Sequence, residues 1–182
     1  MKKYLVIGNP IEHSLSPQIH NYWIKKNNID AIYEKKLLEE KDLENLCNEI
    51  REGKIDGVNV TVPFKEKIIK YIDVLSEDAF NSKAVNIIYK KSENGEDKLI
   101  GDNTDIYGFK KSLPKLFRVI GGGSIGAIIL GAGGASRAII IALSHLGINT
   151  FAIINRTKSK AIKLMHEIDP ENYDPDLIYN WC

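Results

Sequence analysis

"GGGSIGAIILGAGGAS", residues 121–136, holds two glycine clusters, and which of them can cradle a nucleotide decides how the chain folds. Gly121, Gly123 and Gly126 match G-x-G-x-x-G literally, whereas Gly131, Gly133 and Ser136 match it loosely. The fingerprint acts only in context. A strand must precede it and a helix must follow, so that the free N–H groups and positive dipole end of the helix meet a pyrophosphate. The first cluster comes before the apolar run 127–130 and fails this test; it reads as a flexible entry loop. The second follows that run and opens "ASRAIIIALSHLG". Gly131 allows the tight turn, Gly133 lets the backbone approach phosphate, and Ser136 is small enough for helix and strand to pack closely.

The pattern continues downstream. "TFAIIN" (150–155) reads as the next strand and "SKAIKLMHEI" (159–168) as the next helix, which makes β-loop-α-β-α, the start of a doubly wound sheet. Where NAD-binding folds place a carboxylate on the ribose, this chain carries Asn155, Arg156 and Thr157. A carboxylate would repel a 2′-phosphate. Arg156 can pair with one bidentately and Thr157 can add a hydroxyl, so the sequence leans to NADP over NAD. The plainer alternative is a surface arginine at a strand end.

Upstream, strands and helices alternate over about the first 100 residues, which argues an α/β domain. Tyr4–Ile7 reads as a strand stopped by Gly8-Asn9-Pro10. Ser16 is expected to cap a helix with Pro17 at its first position and Ile19, Trp23 and Ile24 on one face. "IYEKKLL" is a strand candidate. "EKDLENLCNEIREG" is an amphipathic helix, with Leu43, Leu46, Cys47 and Ile50 in register and Gly53 ending it. "DGVNVTV" reads as a buried strand stopped by Pro63, Lys65–Tyr71 as the beginning of a helix, and "AVNIIYKK" with "KLIGDN" as a strand pair around "ENGED". "GFKKSLPKLF" reads as a connecting helix broken by Pro114. Residues 1–106 and 107–182 are expected to be the two domains.

Composition narrows the function classes. Hydrophobic residues at 43% and charged residues at 27% suit a globular protein, and the formal charge of +1, with no basic block, disfavours nucleic acid as a partner. The apolar run after Lys2-Lys3 is too short for a signal peptide, and none approaches the ~18 residues of a membrane span. Cys47 and Cys182 do not make a disulfide framework, and the four histidines have no metal-ligand spacing. A cytoplasmic chain without a metal is expected.

Four polar clusters interrupt the apolar pattern of the first domain: "NPIEHSLSP" (Ser14, Ser16), "NVTVPFK" (Asn59, Thr61, Lys65), "AVN" (Asn86) and "GDNTD" (Asn103, Asp105). All fall at or just beyond strand ends, where ligands of open α/β sheets bind. Hydroxyls and amides suit a polyhydroxylated acid, and a Lys–Asp pair can move a proton. Taken singly, each has a plain alternative: a solvated lysine, or Ser16 and Asp105 as helix caps.

Together, "GNPIEHSLSPQIHN", "GVNVTVPFKE", "AVNII", "GDNTDIYGF", "GAGGASRA" and "INRT", in this order, resemble shikimate dehydrogenase from about residue 4 to residue 165. The resemblance implies an N-terminal α/β substrate-binding domain followed by a Rossmann-like NADP-binding domain, and reversible reduction of 3-dehydroshikimate to shikimate on the route to chorismate and the aromatic amino acids. It implies that Ser14 and Ser16 bind the substrate carboxylate and that Asn59, Thr61, Asn86 and Asp105 bind ring hydroxyls. Lys65 would be the acid/base group, paired with Asp105. Gly131, Ala132, Gly133, Gly134, Ala135 and Ser136 would cradle the pyrophosphate, and Asn155, Arg156 and Thr157 would select the 2′-phosphate. A monomer or homodimer is expected, with shikimate as partner and neither nucleic acid nor membrane.

The resemblance breaks after Ile168. "DLIYN" reads as the beginning of a later strand, with an intervening strand lost and the nicotinamide-side loop and C-terminal helices absent. The doubly wound domain is thus expected to be incomplete, with apolar strand surface and an open edge, and turnover by this chain to be much reduced or absent. Two other readings remain open: a non-catalytic remnant that binds shikimate or nucleotide, and a quinate/shikimate dehydrogenase that uses NAD.

Overall fold

The computed structural model describes residues 1–93, 95–114, 125–170 and 174–180, and the chain divides into two compact units. One comprises Met1–Ala79 and Val85–Asp102, the other Phe80–Ala84 and Asn103–Cys182. Gly121 and Gly123 of the literal glycine match, and Cys182, lie outside the described residues.

The first unit is built on a six-stranded mixed sheet. β1 (Lys2–Gly8) runs parallel to β2 (Ala31–Leu37) on one side and β3 (Gly57–Val60) on the other. β3 lies antiparallel to β5 (Ile87–Glu93), which forms a hairpin with β6 (Glu96–Asp102), and β6 pairs with the short parallel β4 (Val74–Leu75). Helix α2 (Leu43–Arg51) covers one face. Leu43, Leu46, Cys47 and Ile50 recur at helical spacing, and all four are buried against Leu5, Ile7, Val58, Val60, Ile88 and Leu99. Each buried leucine or isoleucine among them contributes roughly 1.5–3 kcal/mol. The helix closes at Gly53, whose φ of +75° is left-handed and whose N–H donates to Ile50 O. Burial pushes the Cys47 thiol up to about 11, so this cysteine behaves as a small apolar filler.

Helix α1 (Ser16–Lys26) differs from the expectation. Leu15, not Ser16, is the cap residue, and its side chain makes no capping hydrogen bond. The helix buries none of its residues; Ile19 and Trp23 are 46% and 51% exposed, and Ile24 alone of the expected face packs on the cluster of Val6, Ile11 and Tyr33. Polar contacts hold it instead. Asn21 Nδ2 donates to Tyr33 O at 2.8 Å, and Tyr33 N–H donates to Asn21 Oδ1 at 3.0 Å.

Two further departures are short elements. The run after Lys65 forms a 3-10 turn at Lys67–Tyr71, not an α-helix. β4 and α3 (Glu77–Ser82) have no periodicity long enough to be read from sequence.

In the second unit β7 (Gly126–Leu130), β8 (Thr150–Asn155) and β9 (Ile178–Asn180) form a parallel sheet in the order β7-β8-β9. Helices α5 (Gly134–Ser144) and α6 (Lys158–Ile168) follow β7 and β8. Ile129, Phe151, Ile153 and Ile178 face Ile140, Leu143, Leu164 and Met165 in one core. Helix α5 is apolar on more than one side and is buried on more than one: Ala138, Ile141 and Ala142 pack with Ile106 of α4 (Asp105–Ser112). Among the described residues the opposite face of β7 is open, with Ile128 and Leu130 69% and 63% exposed. The position of β9 corrects the reading of "DLIYN". In a doubly wound sheet the third strand lies outside the second and the fourth returns beside the first. β9 pairs with β8, in register Ile153↔Ile178, and so holds the third position.

Candidate functional site

The sheet of the first unit gathers most of the polar clusters at one edge. β1 and β3 are parallel and end together, with Ile7 opposite Val60. The antiparallel register brings Ile87 opposite Asn59, and Asp102 opposite Ile87. The C-terminal ends of β1, β3 and β6 and the start of β5 therefore share this edge, which carries Gly8, Asn59, Thr61, Asn86 and Asp102. Asn86 staples it through its main chain: its C=O accepts from Val60 N–H at 2.8 Å, and its N–H donates to Asp102 O at 2.9 Å.

The loops leaving β1 and β3 are pressed together. Thr61 N–H donates to Ile7 O at 2.9 Å and Asn9 N–H to Val62 O at 3.0 Å. A Cβ on Gly8 would lie 2.6 Å from Thr61 Cγ2 and 3.0 Å from Val62 O, so only glycine allows this approach. Lys65 is half-buried, follows the fully buried Phe64, and is anchored by its carbonyl, which accepts from Val85 N–H at 2.8 Å. Ser14 and Ser16 sit where the β1 loop enters α1, both half-buried, with Ser16 N–H 3.4 Å from Ser14 Oγ.

Asp105 and Asn103 belong to the second unit. Asn103 is 1% exposed and turned inward. Its Nδ2 donates to Ser82 Oγ at 3.0 Å and Ala84 O at 2.9 Å, while Oδ1 accepts from Asp105 N–H at 3.1 Å. This amide fixes the first turn of α4 and hence where Asp105 stands. Replacement Asn103→Ala removes the hydrogen bonds that tie this buried amide to Ser82, Ala84 and Asp105, so urea unfolding should show a loss of about 2–4 kcal/mol. Asn103 is in this sense a structural member of "GDNTD", a role the sequence pattern did not separate from ligand binding.

The glycine loop is built as its context requires. Gly131 has φ +104°, its N–H donates to Ile154 O at 2.8 Å, and its carbonyl accepts from Ser136 Oγ at 3.0 Å. Ser136 is thus both the small residue under the turn and its fastener. Gly133 is the cap residue of α5; no side chain caps the helix, its first turn has no acidic residue, and a Cβ on Gly133 would meet nothing within 4 Å. The start of α5 therefore presents backbone N–H groups to open space, as a pyrophosphate requires. At the end of β8, Asn155 Nδ2 donates to Thr157 O at 2.7 Å and shapes the turn, while Arg156 is exposed. These residues fit NADP.

One residue that the sequence pattern did not single out reaches this region. Tyr33 on β2 is 4% exposed, and its hydroxyl donates to Asn59 Oδ1 at 2.7 Å. Burial pushes that hydroxyl up to about 12 and lowers the imidazole of His20, whose ring stacks on Tyr33 at 4.2 Å. A tyrosine hydroxyl needs a partner when it is buried, but the sequence of β2 does not say which.

A glycine loop between strand and helix, with a basic residue at the next strand end, defines an α/β protein of the dinucleotide-binding class. Residues 6–88 match the shikimate dehydrogenase substrate binding domain. The NADP(+) shikimate dehydrogenase of Pelagibacter ubique is 50% identical across 98% of this chain and 68% of its own length. That of Pyrococcus furiosus is 44% identical across 90% of this chain and 56% of its own. The chain belongs to the shikimate dehydrogenase family. The Aquifex aeolicus shikimate dehydrogenase structure superimposes with a TM-score of 0.79 at 41% identity, covering 92% of this chain and 60% of that one. The Thermus thermophilus enzyme in complex with NADP(H) and shikimate gives 0.76 at 31% identity, covering 100% and 63%. The chain thus spans between about half and two thirds of the length of these relatives.

Proposed function

We propose that this protein is an NADP-dependent shikimate dehydrogenase that interconverts 3-dehydroshikimate and shikimate on the route to chorismate and the aromatic amino acids. The observation that carries this reading is the single sheet edge holding Asn59, Thr61 and Asn86, with Lys65 anchored four residues beyond Thr61 by its own carbonyl. Ser14 and Ser16 would hold the substrate carboxylate, and Asn59, Thr61 and Asn86 the ring hydroxyls. NADP, when bound, would supply the hydride acceptor for oxidation and the hydride donor for reduction. In the reducing direction Lys65 Nζ gives its proton to the oxygen that becomes hydroxyl, and in the oxidising direction it takes that proton back. The backbone from Gly131 to Ser136 would receive the pyrophosphate and Arg156 and Thr157 the 2′-phosphate.

The substrate is a small acid, neither nucleic acid nor membrane, and the setting cytoplasmic. Among the described residues no helix is long and apolar enough to cross a membrane. The test is calorimetric titration of the purified chain with shikimate and with NADP+, followed by shikimate-dependent NADPH formation. Saturable binding of both ligands is expected. No binding of shikimate, or tighter binding of quinate, overturns the reading.

A further inference from the structure

The Tyr33–Asn59 contact does more than satisfy a buried hydroxyl. A side-chain amide can be turned by 180°, exchanging its donor and acceptor ends, unless its neighbours accept one orientation only. Asn59 has such a neighbour. Its Nδ2 lies 3.4 Å from the carbonyl oxygen of Asn86, a group that only accepts. The turned amide would set Oδ1 against that oxygen, acceptor against acceptor. Nδ2 therefore faces Asn86, Oδ1 faces Tyr33, and the phenol must be the donor, at 2.7 Å.

Tyr33 is itself held rigidly. Asn21 of α1 binds both its backbone N–H and its C=O, the ring of His20 lies nearly parallel to it at 10°, and Val6 and Ile11 bury it. Asn59 has one more N–H on Nδ2, and beyond Tyr33 and Asn86 it has no partner among the described residues. We propose that Tyr33 is a positioning residue: it locks the Asn59 amide so that this position donates, and the ligand atom meeting it must be an accepting oxygen. Burial keeps the phenol protonated across ordinary assay pH, so the lock does not open there. The inference rests on the reading of this strand end as the shikimate site, and it adds a specificity element on β2, with β1 between it and the strand of Asn59.

A double-mutant cycle tests it in the full chain, with Tyr33→Phe, Asn59→Ala and the pair, read as the shikimate Kd by calorimetry and with NADP+ as the control ligand. One neutral hydrogen bond corresponds to about a 2- to 13-fold change. Tyr33→Phe should therefore weaken shikimate about fivefold in the wild-type background and less than twofold when Asn59 is already alanine, with NADP+ unaffected. Equal losses in both backgrounds would show a packing role and overturn the proposal, as would no loss. Failure of the wild-type chain to bind shikimate counts against the proposed function, and the lock is then judged on the free protein. In that case the two Asn59 side-chain N–H resonances should be sharp and distinct in wild type and should shift or broaden in Tyr33→Phe; unchanged resonances refute the lock.

Discussion

Lys65→Met is expected to lower NADP-dependent oxidation of shikimate by about 10²–10⁴-fold while the shikimate Kd stays within a few-fold. Methionine keeps most of the apolar stem and removes the only group at this position that can carry a proton. The local fold should survive, because the anchor to Val85 N–H is the backbone carbonyl of residue 65, and the buried neighbour Phe64 is untouched. The loss should therefore appear in kcat, and the unfolding midpoint should move little. A variant that loses binding and turnover together would make Lys65 a ligand for the ground state and would move the acid/base role elsewhere.

The second large effect is on cofactor choice. Arg156→Asp should shift the ratio of NAD+ to NADP+ affinity by about 100-fold or more toward NAD+, since charge-assisted hydrogen bonds contribute about 1.5–3 kcal/mol each and the new carboxylate repels the phosphate. Arg156 is exposed at the end of β8, so its replacement leaves the core of that unit intact. The introduced carboxylate also supplies the ribose-hydroxyl acceptor that NAD-binding folds place near this point. Binding measurements suffice, so turnover is not needed for the test. An unchanged ratio would leave Arg156 as an ordinary surface arginine.

What could be read from the sequence was what local periodicity and turn chemistry determine. Leu43, Leu46, Cys47 and Ile50 specify α2 because four apolar residues at helical spacing have one way to be buried together. The second glycine cluster was legible because position relative to strand and helix, not the literal spacing, decides which loop makes the turn from β7 into α5. Other features depended on tertiary partners. β4 exists because two residues find β6, and Lys67–Tyr71 is too short a run to favour an α-helix over a 3-10 turn. The face of α1 was misread because Asn21, a polar residue, fastens that helix to Tyr33, leaving Ile19 and Trp23 in solvent. In "DLIYN" only Ile178–Asn180 is strand, following a 3-10 turn at Pro175–Leu177, and which neighbour that strand takes is a matter of sheet order, invisible in five residues. The candidate site followed the same rule. Its residue types were visible at the strand ends, whereas Tyr33 as the partner of Asn59 needed the parallel pairing of β1 with β2 and β3.

The open side of β7 has a consequence for how this chain tolerates change. Ile129 points into a packed core, while Ile128 and Leu130, one residue away on either side, face outward. Within this unit, neighbouring codons for chemically similar residues are under opposite constraints. Random mutagenesis along β7 should leave a rhythm of period two in the survivors, with polar letters accumulating at 128 and 130 and excluded at 129. That rhythm would measure, residue by residue, how much of the sheet's outer surface the folded protein keeps covered in the cell.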